Sequence, residues 1–194
     1  MKRMFEMLES ENVIKSAERK IITAALELQE KTAEQVMTKI EEVYMLEINT
    51  LLGHKALREI YAKGYSRIPI YEKTKDNIVG ILMARDLILI NPDKALITLK
   101  QMSSIIIKDV LAVGHKDKLE PLLGYFKDGL THIGIVTKFM VEDTKKKSLA
   151  EQNNWNNEPI KKVVGIVTLE DIIEEIIQDE IEDEYEIGEE KLNR

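Results

Sequence analysis

The chain has 194 residues, 44% of them hydrophobic, and no apolar run reaches the ~18–20 residues of a membrane span, so it reads as one or two soluble domains with sizeable cores. Zero cysteines exclude disulfides, thiolate zinc sites and a cysteine nucleophile, and suit a reducing compartment. The net charge of −7 is uneven: twelve of the 35 acidic residues fall within 170–190, where no Lys or Arg stands, while the rest carries 28 basic residues but no basic stripe with interleaved aromatics, which argues against a nucleic-acid partner.

The opening MKRMFEMLESEN lacks the apolar core of a secretory signal. From Glu9 to about Gln29, Val13, Ile14, Ala17, Ile21, Ala24, Ala25 and Leu28 recur at three- and four-residue spacing and predict an amphipathic helix. TAEQVM (32–37) begins a short helical turn, Val43 to Leu46 reads as a strand, and Leu51 to Lys63 has helical period ending at Gly64. Arg67 to Tyr71 and Ile78 to Met83 read as a strand pair joined by the loop EKTKDN, and Arg85 to Ile90 begins a helix that Pro92 stops. The order then recurs. Ile107 to Val113 holds a turn and a strand, Leu119 to Lys127 a helix terminated by Gly129, and Ile133 to Val136 a strand. A loop from about Thr137 to Lys161, with Lys145, Lys146, Lys147 and QNNWNN, reads as a mobile insertion. VVGIV (163–167) is the closing strand, and the helix behind it is expected to bury Ile172, Ile173, Ile176, Ile177 and Ile181.

The recurrence is an internal duplication. GYSRIPIY (64–71) leads to NIVGILMARDLI (77–88), as GLTHIGIV (129–136) leads to KVVGIVTLEDII (162–173), with Gly80 or Gly165 six residues before Asp86 or Asp171. Two similar units packed on each other form a pseudo-twofold cleft, a natural ligand site. The proposed division is a connecting helix over 1–30, units over 31–100 and 101–186, and a tail over 187–194.

Thr168-x-x-Asp171 before an apolar run has two readings. As a capping box, the Thr hydroxyl accepts from the N3 backbone N–H and the acid reaches back to the cap. As a ligand site, the helix N-terminus offers N–H groups to phosphate, Thr168 adds a hydroxyl, and Asp171 can accept both hydroxyls of a ribose. In the other unit Tyr65 can stack on a purine and Arg67 can pair with phosphate, or they can be a packing aromatic and a surface ion pair. No nucleophile–base pairing is apparent and His54, His115 and His132 stand singly, so no enzyme activity is expected.

Beyond the G-I-V-T-L-E-D of 165–171, four segments carry a family likeness: KTAEQVMTKIEEVYML (31–46), GYSRIPIYEKTKDNIVGIL (64–82), INPDKALITL (90–99) and VVGIVTLEDIIEEIIQDEIEDE (163–184). Over about residues 10–186 the chain resembles the cytosolic tandem CBS-domain pair, or Bateman module, of the CNNM (cyclin M)/CorC family of magnesium transport proteins. The resemblance implies an α+β fold of two pseudo-twofold related β-α-β-β-α units. It further implies Mg²⁺-ATP in the cleft, with Tyr65 at adenine, Ser66 and Arg67 along ribose and phosphates, Thr168 at phosphate and Asp171 at ribose, and Mg²⁺ held through ATP phosphates. It implies a homodimer on the cytoplasmic side of a membrane, regulating transport by a transmembrane domain that this chain lacks; the chain is therefore expected to be a piece of a longer membrane protein. The second cleft reads as degenerate, because Met83 stands in the place of Thr168, and Leu130 and His132 in those of Tyr65 and Arg67. Two other readings stay open: a structural dimerisation module without nucleotide, and an AMP-sensing regulatory domain of a soluble enzyme.

Overall fold

The computed structural model describes Met4, residues 15–91, 97–129, 131–140, 160–179 and Ile181. Helix α1 (Ser16–Glu27) leads into the short α2 (Ala33–Val36) and strand β1 (Thr38–Lys39). The first repeat continues with β2 (Leu46–Glu47), α3 (His54–Lys63), β3 (Arg67–Tyr71), β4 (Ile78–Met83) and a 3-10 helix over Ala84–Leu89. Then come α4 (Leu99–Ile106), β5 (Ile107–Lys108), β6 (Leu111–Gly114), α5 (Leu119–Lys127), β7 (Ile133–Met140), β8 (Ile160–Thr168) and α6 (Leu169–Ile177).

The repeats are interwoven. One sheet runs β2-β3-β4-β5 and the other β1-β8-β7-β6, so each takes its outermost strand from the other half of the chain. In both sheets the strand before the helix pairs in parallel with the one after it, β2 with β3 and β6 with β7, and the remaining pairings are antiparallel. This exchange explains the glycine common to both repeats. A Cβ on Gly80 would strike the Ile107 side chain and come within 2.9 Å of the Lys108 carbonyl oxygen, and one on Gly165 would strike the Thr38 carbonyl oxygen and come within 2.9 Å of Met37 Sδ. Each glycine lets the exchanged strand lie against its partner.

Each repeat has its own core, Leu52, Ile60, Ile68, Ile70 and Leu82 in the first, Leu119, Phe126, Val136, Val167 and Ile172 in the second. A third cluster of Ile40, Val43, Ile81, Ile133, Ile135 and Val163 joins the two sheets. The α6 expectation is corrected: Ile172 is fully buried and Ile176 packs partly on the core, but Ile173, Ile177 and Ile181 are 36%, 40% and 47% exposed. Positions 172 and 176 share the inner face by i, i+4 spacing, which turns 173 and 177 outward. The helix read from Arg85 is a 3-10 turn from Ala84; its N-cap Met83 makes no side-chain cap bond, whereas Thr168 caps α6. Helix α4 was not anticipated, although Thr98 and Gln101 form a capping box at its start. The insertion is shorter than read, since Thr137–Met140 pairs with Ile160–Val163. Pro92, residues 9–14 of the helix expected from Glu9, QNNWNN and the tail over 187–194 lie outside the described residues.

Candidate functional site

All five sequence-predicted residues line one cavity of about 500 Å³ between the repeats. Tyr65, Ser66 and Arg67 enter on the turn from α3 into β3, where Gly64 ends the helix at φ 73°, a left-handed conformation that glycine adopts without strain. Thr168 and Asp171 come from the junction of β8 and α6. Thr38, Val43, Tyr44, Pro69, Ile133, Ile166 and Ile181 complete much of the wall. Thr38 lies on the exchanged strand β1, so no local pattern marks it as a neighbour of Thr168; Tyr44 falls within the strand read at 43–46, where nothing in the sequence marks it as a site residue.

Tyr65 is 51% exposed at the rim, its ring stacked on that of Tyr44 with centroids 6.0 Å apart and planes 28° from parallel. The Tyr44 hydroxyl donates to Glu59, 3.2 Å away, and Lys63 lies over the Tyr44 ring. Burial, then the charge and hydrogen bond of Glu59, push the Tyr44 phenol up to about 12. Ser66 is anchored by its main chain, whose carbonyl accepts from the Ala84 N–H at 3.0 Å. Arg67 Nη2 donates to His132 Nδ1 at 3.0 Å, and its Nη1 lies 3.7 Å from Glu170 Oε1.

The capping box at the far end is complete. Thr168 N–H donates to Asp171 Oδ2 at 2.7 Å, and Asp171 N–H donates to Thr168 Oγ1 at 3.2 Å. Burial raises the Asp171 pKa; its bonds to Thr168 pull the other way, and the charges of Glu174 and Glu170 add to the rise. The box leaves chemistry to spare: the Thr168 hydroxyl can still donate, and the second Asp171 oxygen can still accept. The five residues thus supply an aromatic face, a guanidinium, two hydroxyls and a carboxylate, a donor and acceptor set that fits a nucleoside phosphate in both size and kind. Arg67 is the sole Lys or Arg among the lining residues, against Glu42, Glu170, Asp171 and Glu174. Among the described residues no group of three or more His, Cys, Asp or Glu is placed to hold a metal ion.

A second cavity of about 430 Å³ lies along α6, lined by Gln35, Val36, Asp171, Glu174, Glu175, Gln178 and Asp179. In the pseudo-equivalent place of the first repeat, Met83 is the N-cap of the 3-10 helix and Asp86 lies in its first turn, with Asp86 Oδ1 3.8 Å from Arg85 Nε. His132, equivalent in the repeat to Arg67, is instead its hydrogen-bond partner.

Residues 33–92 match the family model of the CBS domain. Taken with two interwoven mixed sheets and a cleft between the repeats, the match defines the chain as a pair of CBS domains. The whole chain is 36% identical over 197 residues to the metal transporter cnnm-1 of Caenorhabditis elegans, of whose length it spans 23%. Among solved structures it is similar to the CBS domain of a bacterial CNNM/CorC family Mg²⁺ transporter, with 26% identity, a TM-score of 0.71, and coverage of 94% of this chain and 96% of that one. The CBS domain of such a transporter in complex with ATP matches at 27% identity and a TM-score of 0.63, covering 84% and 98%. The chain belongs to the CNNM/CorC family of magnesium transport proteins as its CBS-domain pair. No helix among the described residues is long and apolar enough to cross a membrane.

Proposed function

We propose that this chain is a regulatory module that binds Mg²⁺-ATP in the inter-repeat cavity, and that nucleotide occupancy resets the arrangement of a homodimer to control Mg²⁺ transport by a membrane domain outside this chain. The observation that carries the reading is the convergence of Tyr65, Ser66, Arg67, Thr168 and Asp171, drawn from both repeats, on one nucleotide-sized cavity. Tyr65 faces adenine, Ser66 and Arg67 run along the ribose and phosphates, Thr168 holds phosphate and Asp171 the ribose. The solved ATP complex of a related CBS domain supports the choice of ATP as the ligand. When bound, Mg²⁺ supplies the neutralisation that one arginine and a helix dipole cannot, held by phosphate oxygens and water. Dimerisation is supported by apolar side chains left outward on adjoining helices, Ile173 and Ile177 on α6 and Tyr125, 57% exposed, on α5. The module then sits on the cytoplasmic side, where ATP is found, with 31–100 and 101–186 as its repeat units.

Calorimetric titration with ATP, with and without millimolar Mg²⁺, tests the reading. Saturable binding that requires Mg²⁺ is expected; no heat under either condition overturns it. One observation favours a second reading, a structural module without nucleotide: the Thr168–Asp171 box is fully formed by protein groups alone. Under that reading Asp171→Ala changes stability and nothing else.

A further inference from the structure

We propose that His132 is a positioning residue for the nucleotide site, holding Arg67 in place for phosphate through a neutral hydrogen bond; this rests on the Mg²⁺-ATP reading. Arg67 heads β3 and His132 stands just before β7, in corresponding places of the two repeats, so the contact at 3.0 Å joins pseudo-equivalent residues across the inter-repeat cleft. A guanidinium can only donate. His132 Nδ1 is therefore the acceptor, which requires the tautomer that carries its proton on Nε2.

The main chain of the same residue holds the opposite wall. The His132 carbonyl accepts from the N–H of Leu169, the first residue of α6, at 3.1 Å, and the adjacent Ile133 is paired in register with Thr168. His132 thus ties the arginine and the helix start together at one point. The neutrality of the acceptor matters. A carboxylate in this place would cancel the charge of Arg67, whereas an imidazole orders the side chain and leaves its charge for an anion. Glu170 does pair with Arg67, but from a side chain that is 55% exposed and at 3.7 Å, so an arriving phosphate can displace it while His132 keeps its hold. An arginine already ordered by His132 loses less side-chain freedom on binding.

The test compares MgATP binding by calorimetry in the parent chain, His132→Ala and His132→Asn, whose amide oxygen can stand near the Nδ1 position. The Ala variant keeps the main-chain bond to Leu169 and should bind about three- to tenfold more weakly; the Asn variant should recover most of the loss. Nitrogen-15 NMR of the nucleotide-free parent at neutral pH should show the His132 proton on Nε2 and none on Nδ1. The positioning role is overturned if the Ala variant binds as the parent does, if Asn fails to rescue, or if Nδ1 carries a proton. A parent that binds no MgATP refutes the nucleotide reading and this role with it, whereas binding by the parent with no loss in His132→Ala removes this role alone. Should His132→Ala not fold, His132→Leu, which fills the site but cannot accept a hydrogen bond, takes its place: it should bind about three- to tenfold more weakly, and binding equal to the parent's overturns the role.

Discussion

Asp171 does two jobs in this account, and Asp171→Ala separates them. As the N3 residue of the capping box it accepts one hydrogen bond from Thr168 N–H; the reciprocal bond, from the backbone N–H of 171 to the Thr168 hydroxyl, does not need its side chain. The substitution therefore removes one limb of the cap, and it also removes a carboxylate that burial makes costly to ionise. The two effects oppose each other, so the cost should be about 1 kcal/mol or less. For a chain of this size that is a fall in Tm of about 2–4 °C at most. The ligand role is larger: MgATP at about 100 times its Kd stabilises the parent by about 2.7 kcal/mol, or about 5–11 °C. Thermal denaturation of parent and variant, each with and without MgATP, reads both numbers. The variant should unfold slightly earlier without nucleotide and gain almost nothing from it. An Asp171→Ala chain that keeps the full MgATP-induced rise shows that the carboxylate is only a cap.

Glu170→Gln should strengthen MgATP binding severalfold in calorimetry, because it frees Arg67 of its ion-pair partner and removes a negative charge from the cavity wall; weaker binding contradicts the picture of a displaceable pair. The raised pKa of Asp171 makes stability depend on pH: its favourable contribution is full below the ordinary value of 3.8 and is lost as pH rises through the higher folded value. Asp171→Asn should therefore gain stability relative to the parent as pH rises across that window, and a difference that does not change with pH in urea denaturation would disprove the assignment. Gly165→Ala should lose about 1–3 kcal/mol, since its Cβ meets the Thr38 carbonyl and Met37; Gly124→Ala, inside α5 with nothing within 4 Å of the added Cβ, should gain about 0.5–1 kcal/mol, and equal denaturation midpoints for the two would refute the close-approach argument. Calorimetry should also give one nucleotide per chain, because Met83 cannot offer the hydroxyl that Thr168 does; a stoichiometry near two would refute the asymmetry of the clefts.

Legibility in the sequence followed how local each determinant is. Strands β3 and β4 and helix α5 fall at the residues read from apolar runs bounded by Gly64, EKTKDN and Gly129, because periodicity and terminator lie in the same few residues. The Thr168–Asp171 box was legible for the same reason, its two bonds spanning three residues. Helix α4 carries a local signal, for Thr98-x-x-Gln101 is the same signature as Thr32-x-x-Gln35 at α2, but its eight residues have no long apolar stripe behind that cap. The exchanged strands β1 and β5 could not be read, since two residues carry no period and their partners lie more than 20 residues away in sequence. The cavity suffered likewise. Its five polar and aromatic groups were visible as types at motif positions, but the Thr38 wall, the Tyr44–Tyr65 stack and the Arg67–His132 bond exist only because the repeats fold across each other.

A structure of the chain with ATP and Mg²⁺ tests the central claim most directly. The account predicts one nucleotide between Tyr65 and the start of α6, its phosphates toward Arg67 and Thr168, an Asp171 oxygen on the ribose, and the metal held by phosphate oxygens and water. Nucleotide seated against Met83 and Asp86 instead, or an inter-repeat cavity that stays without nucleotide at millimolar MgATP, would contradict it.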